Sequence, residues 1–141
     1  MSMSLYLFLT LDTPLKTKNL NEAAKSLGVP IVYEENIDLA GHAGFLPAVL
    51  NGLKTGVEVY KTPYSQVAEL LASSDSVDPD NTVVIEFRWG GDFYEGTTAL
   101  YTAMIYSAKY NGVAFDPMSG RYLGADQLVQ GVEAFLSYGE Q

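Results

Sequence analysis

Asp92 and Glu95 stand three residues apart, directly after Gly90-Gly91 and the chain's single tryptophan, Trp89. Two carboxylates at that spacing can work as acid and base, or can offer oxygen ligands to a cation. The same spacing at the start of a helix serves structure. Asp92 then accepts backbone N–H groups, Glu95 reaches back to the cap, and both complement the positive end of the helix dipole. Arg88 is expected to pair with one of them. Trp89 either completes a core or covers a pocket. The two glycines either leave the backbone open to a ligand or permit a sharp strand-to-helix turn.

His42 is the only histidine, set in Ala40-Gly41-His42-Ala43-Gly44. Near Glu34, Glu35 or Asp38 it can act as a general base under a flexible lid; otherwise it is a plain surface-loop residue. There is no cysteine, so disulfides and thiolate zinc sites are excluded. Asp116-Pro117-Met118-Ser119-Gly120 has the residue order of a type I turn and too few oxygen ligands for a calcium loop. An enzyme reading therefore rests on His42, Asp92, Glu95 and Asp116, with no metal and no cofactor expected. A phosphate-binding Gly-rich loop with Lys, a Gly-x-Ser-x-Gly elbow and a His-Glu-x-x-His motif are all missing.

The chain has 141 residues, with 17 acidic and 8 basic side chains and a formal net charge of −9. Nucleic acid, a polyanion, is a disfavoured partner; a basic protein is a favoured one. Ten tyrosines are a high load for 141 residues; ordinary sheet and helix packing accounts for most of them, and a protein interface is the other reading. Tyr94 and Tyr101 lie two helical turns apart and can share a face, as can Tyr106 and Tyr110. Tyrosine suits protein interfaces because it buries area and keeps a polar tip. The N-terminal run Leu5 to Leu11 is too short to span a bilayer and lacks the flanks of a signal peptide. A cytoplasmic location is the expectation.

The elements that position these residues follow from the hydrophobic pattern. Leu5 to Leu11 alternates as a first strand. Asn19 and Glu22 can cap a helix whose buried stripe is Leu20, Ala23, Ala24 and Leu27, with Gly28 as its stop. Ile31 to Tyr33 is a short extended segment. Phe45 to Leu50 and Leu53 to Lys61 flank Asn51-Gly52, the signature of a type I′ hairpin. Pro47 suggests an edge strand or a bulge, and Gly56 a bulge. Thr62-Pro63 starts a helix with Tyr64, Val67, Leu70 and Leu71 inward. Ser73 to Asn81 is the most loop-like stretch. Thr82 to Phe87 is apolar enough for a central strand. A long helix follows from Phe93 to Tyr110, then a hairpin of Val113–Asp116 and Arg121–Leu123. A last helix runs from Ala125 to Tyr138, with Leu128, Val132, Phe135 and Leu136 inward. The result is α+β, a mixed or mostly antiparallel sheet with helices on one face, as a single domain over 1–141. Segments 4–74 and 82–138 share the order strand, helix, hairpin, helix.

Gly44-Phe45-x-Pro47, Asn51-Gly52, Gly56-Val57-Glu58, Phe87-x-Trp89-Gly90-x-Asp92-x-x-Glu95 and Phe115-Asp116-Pro117-x-x-Gly120 together cover roughly residues 44–123. They resemble a group of small, sparsely characterised bacterial cytoplasmic proteins, some similar to the immunity proteins paired with secreted antibacterial toxins. The resemblance implies binding rather than catalysis, and marks Trp89, Asp92, Glu95 and Asp116. With Tyr94 and Tyr101 these are the expected binding residues. The leading expectation is a non-enzymatic protein-binding module for a basic toxin-like partner; the alternative is a small enzyme with an acid–base cleft near Trp89.

Overall fold

A computed structural model describes residues 2–71 and 78–139. The fold is α+β, a seven-stranded antiparallel sheet with helices packed against it. The strands are β1 (Met3–Thr10), β2 (Ile31–Tyr33), β3 (Gly44–Leu50), β4 (Leu53–Thr62), β5 (Thr82–Trp89), β6 (Val113–Asp116) and β7 (Arg121–Leu123). Their spatial order is β2-β3-β4-β5-β1-β6-β7, so β5 is the central strand, as its composition predicts. The helices are α1 (Thr17–Leu27), α2 (Tyr64–Val67), α3 (Phe93–Tyr110) and α4 (Ala125–Gly139). Among the described residues, no helix is long and apolar enough to cross a membrane.

Period-two alternation decides which side of the sheet becomes the core. In β1, Leu5, Leu7 and Leu9 are buried; in β5, Val83, Ile85, Phe87 and Trp89 are buried; in β4, Val57 and Val59 join them. α3 lies across this face. Its Ala99 and Ala103 are buried in the same cluster as Leu128 and Val132 of α4 and Leu20 of α1. Gly96 in α3 is required by close packing. A Cβ there would stand 2.7 Å from the Phe135 ring and 2.8 Å from Trp89 Nε1. Tyr33 is fully buried, and its hydroxyl is 2.6 Å from Thr102 Oγ1 on α3, satisfying a polar tip that burial would otherwise penalise.

Helices do not keep to one face. Phe8, Val84 and Phe115 point to the opposite side of the sheet, where Val67 of α2, Tyr64 and Leu71 pack on them. α2 is a single turn, continued by a 3₁₀ turn at Ala68–Leu70, rather than a full helix with Thr62 as its cap. Thr62 stays in β4, where its hydroxyl donates to Glu86, and Leu70 is exposed. Of the loop expected at Ser73 to Asn81, residues 73–77 lie outside the described residues; Pro79–Asn81 form a 3₁₀ turn into β5.

The Asn51-Gly52 turn forms with φ of 50° and 81°, as a type I′ hairpin requires. β3 is not an edge strand, since β2 pairs outside it. That pairing covers only Ala48 to Leu50, so Pro47, with no N–H to give, sits just past its end. Gly56 makes no bulge, because the β3–β4 register runs unbroken from Gly44↔Val59 to Leu50↔Leu53. Instead its φ is 153°, and a Cβ would overlap the Phe45 ring. α1 begins two residues before the expected cap, after Lys16 and with no side-chain cap. Gly28 closes it at φ 71°. Segments 4–74 and 82–138 interleave in the sheet: β5 lies against the first hairpin through β4, and β1 against the second through β6.

Ile85 is fully buried in the central strand, whereas Val32 on β2 is 59% exposed. Ile85→Ala is expected to lower unfolding free energy in urea by about 2–5 kcal/mol. Val32→Ala is expected to change it by only about 0.5 kcal/mol.

Candidate functional site

The junction after β5 is built as a helix start. Trp89 ends the strand in the core, 5% exposed. Asp92 is the N-cap of α3, and its Oδ1 accepts from Tyr94 N at 2.8 Å and Glu95 N at 3.2 Å. Glu95 does not complete a capping box, since among the described residues no bond joins its carboxylate to the Asp92 N–H. Gly90 and Gly91 are not forced on the turn: neither has a left-handed φ, and a Cβ on either would meet nothing within 4 Å.

Asp92 and Glu95 line an open groove of about 630 Å³ together with Tyr33, Phe45, Ala48 and Thr55 of the β2–β3–β4 region. Partial burial, and then the charges of Asp92 and Glu58, push the Glu95 carboxyl above its ordinary value. Among the described residues no ion pair is made by Glu95, although Lys54 also lines this groove. Arg88 does not supply one. It points to the other face of the sheet, where its Nε lies 2.8 Å from Glu86 Oε2 and its second nitrogen 3.2 Å from Oε1. The expected pairing of Arg88 with Asp92 or Glu95 is replaced by this strand-internal pair, because residues two apart in a strand share a face.

The remaining acid–base candidates lie apart. His42 Nε2 is 2.8 Å from the Phe45 carbonyl oxygen, tying down its glycine-flanked loop. The Asp38 carboxylate accepts from Ala40 N instead of meeting the imidazole. Asp116 holds its own turn: Oδ1 accepts from Met118 N at 3.0 Å and Oδ2 from Ser119 Oγ at 2.9 Å. Asp116 and Trp89 line a second cleft of about 430 Å³, separate from the groove of Asp92 and Glu95. Among the described residues, no group of three His, Cys, Asp or Glu side chains could hold a metal ion. Tyr94 and Tyr101, expected at an interface, are partly buried against the main core; burial, then the Glu133 charge, raises the Tyr101 phenol.

The feature the sequence reading misses is the second face of the sheet. Register places Tyr122, Phe115, Tyr6, Glu86 and Tyr60 side by side across β7, β6, β1, β5 and β4. The next row holds Ser4, Arg88, Glu58 and Phe45. Val49 and Val32 pair further along the same face. Tyr60 donates to Glu58 Oε1 at 2.7 Å, and the Arg88 guanidinium stands 4.9 Å from the Tyr60 ring centre. Thr62 and Arg88 together satisfy the buried Glu86 carboxylate. The signal was present in the alternation of Tyr6 with Leu5 and Leu7, and of Glu86 and Arg88 with Ile85, Phe87 and Trp89.

The chain matches no protein-family model, no curated protein and no solved structure.

Two stability measurements check the electrostatics of the α3 start. Asp92→Ala removes the cap and is expected to cost about 0.5–2 kcal/mol in a denaturant melt. Glu95→Gln is expected to act in the opposite direction. An acid whose folded pKa is raised loses folded-state stability as pH climbs through the window above its ordinary value of 4.5. The Gln variant therefore melts at or above the wild-type midpoint at neutral pH, and the advantage disappears in acid below that window.

Proposed function

We propose that this protein is a non-enzymatic binding module that engages a basic protein partner through the open face of its sheet, in the manner of an immunity protein set against a toxin. The observation that carries this reading is the set of exposed, pre-ordered side chains on the sheet face opposite α3, beyond the part that α2 covers. Phe45 is 48% exposed, Val49 39%, Val32 59% and Tyr122 36%, while the Arg88 side chain is 50% exposed. Tyrosine and arginine are the residues that most often dominate binding energy. Tyr60 and Arg88 are held by Glu58 and Glu86 before any partner arrives, which lowers the entropy lost on association. The net charge of −9 favours a partner of opposite sign and speeds encounter with it.

The acid–base alternative draws no support from this geometry. Its four residues are divided among the groove at Asp92 and Glu95, the loop bond of His42 and the turn of Asp116. General acid–base work needs convergence on one reacting atom.

Affinity capture from the source lysate, followed by mass spectrometry, tests the binding reading. A basic protein is expected to be retained at low salt and released as salt rises. Tyr60→Ala is expected to weaken the isolated complex by about 2 kcal/mol, and Glu34→Gln at the rim by less than about 1 kcal/mol. A captured partner indifferent to both salt and Tyr60→Ala would contradict the proposal.

A further inference from the structure

We propose that the cleft beside Trp89 binds a small, neutral, largely apolar molecule. It lies mainly on the α3–α4 side of the sheet and meets the open-face row only at Ser4 among the described residues. Leu5 and Trp89 supply its floor from β1 and β5, Leu123 a wall from β7, and Leu100 and Phe135 the roof from α3 and α4. Leu5, Trp89 and Leu100 are core residues, 2%, 5% and 7% exposed. Protein cores rarely leave voids larger than a water molecule. A space of about 430 Å³ reaching that core is in the range of small-molecule sites, which are mostly apolar with few polar groups.

Charge selects the occupant. Among the described lining residues there is no lysine, arginine or histidine, and the one ionisable group is Asp116. A carboxylate or phosphate on the ligand would meet a like charge and lose its hydration without a partner. An uncharged ligand carrying a hydroxyl or N–H can donate to Asp116, whose oxygens retain lone pairs beyond the two bonds of the turn. Met118 at the mouth, 71% exposed, adds an adaptable thioether. Neutral alcohols, phenols and indoles therefore fit; fatty acids and anionic amphiphiles do not.

Trp89 is the only tryptophan, so it is the single donor for energy transfer, and the Met118 variant below separates dye in this cleft from dye bound elsewhere on the chain. Titration of the full chain with the neutral dye N-phenyl-1-naphthylamine is expected to give saturable energy transfer from Trp89. 1-Octanol is expected to displace the dye, and octanoate to be weaker by roughly tenfold or more because its charge must be desolvated. Asp116→Asn should narrow that gap. Met118→Glu, a surface change that leaves the core untouched, should weaken dye and octanol together while the far-UV circular dichroism stays unchanged. The proposal is overturned by transfer that does not saturate, by octanoate competing as well as octanol, or by dye binding that Met118→Glu leaves unaltered.

Discussion

The pairing of β1 with β5 is the constraint from which the rest follows. Its eight-residue register, from Met3↔Trp89 to Thr10↔Thr82, sets leucines against β-branched and aromatic residues on one side. That side is buried beneath α3, and shifting either strand by one residue would turn every one of those side chains to the wrong face. The same register leaves no choice about the other side. Once Leu5, Leu7, Ile85, Phe87 and Trp89 go inward, Tyr6, Glu86 and Arg88 must go outward, onto the face where α2 packs on Phe8, Val84 and Phe115. The core and the open face are one decision made twice.

Glu86 shows how the outward side is kept ordered. Its carboxylate is almost wholly buried among neighbouring side chains, a position that is costly for a charge without partners. Thr62 and Arg88 satisfy it, and Arg88 is in turn laid over Tyr60, whose hydroxyl is held by Glu58. Each member fixes the next. Because the Arg88 side chain is half exposed, the ion pair itself adds modest stability. Its larger effect is to hold aromatic and guanidinium surfaces in one arrangement.

Much of this architecture was legible in the sequence because local signals and tertiary packing agree. The Asn51-Gly52 hairpin, the central strand at Thr82, the bounds of α3 and the Asp92 cap all rest on short-range chemistry that no long-range contact overrides. What was not legible depended on partners far along the chain. Thr62 was claimed by Glu86, 24 residues away, before it could cap a helix. Gly56 takes its conformation beneath the Phe45 ring and not from a bulge. Arg88 found its carboxylate within its own strand. The site residues divided for the same reason: the strand-to-helix turn carries Asp92 and Glu95 to one groove while Trp89 and Asp116 face another.

Hydroxyl-radical labelling of the free protein, read residue by residue by mass spectrometry, tests the open face most directly. The account predicts fast labelling of the exposed Phe45 and Tyr122 and intermediate labelling of the half-buried Tyr60, with Tyr33, Phe87 and Tyr106 protected in the core. Protection of Phe45 and Tyr60 to the level of Tyr33 and Tyr106 would mean that the second face of the sheet is already covered, and would contradict it.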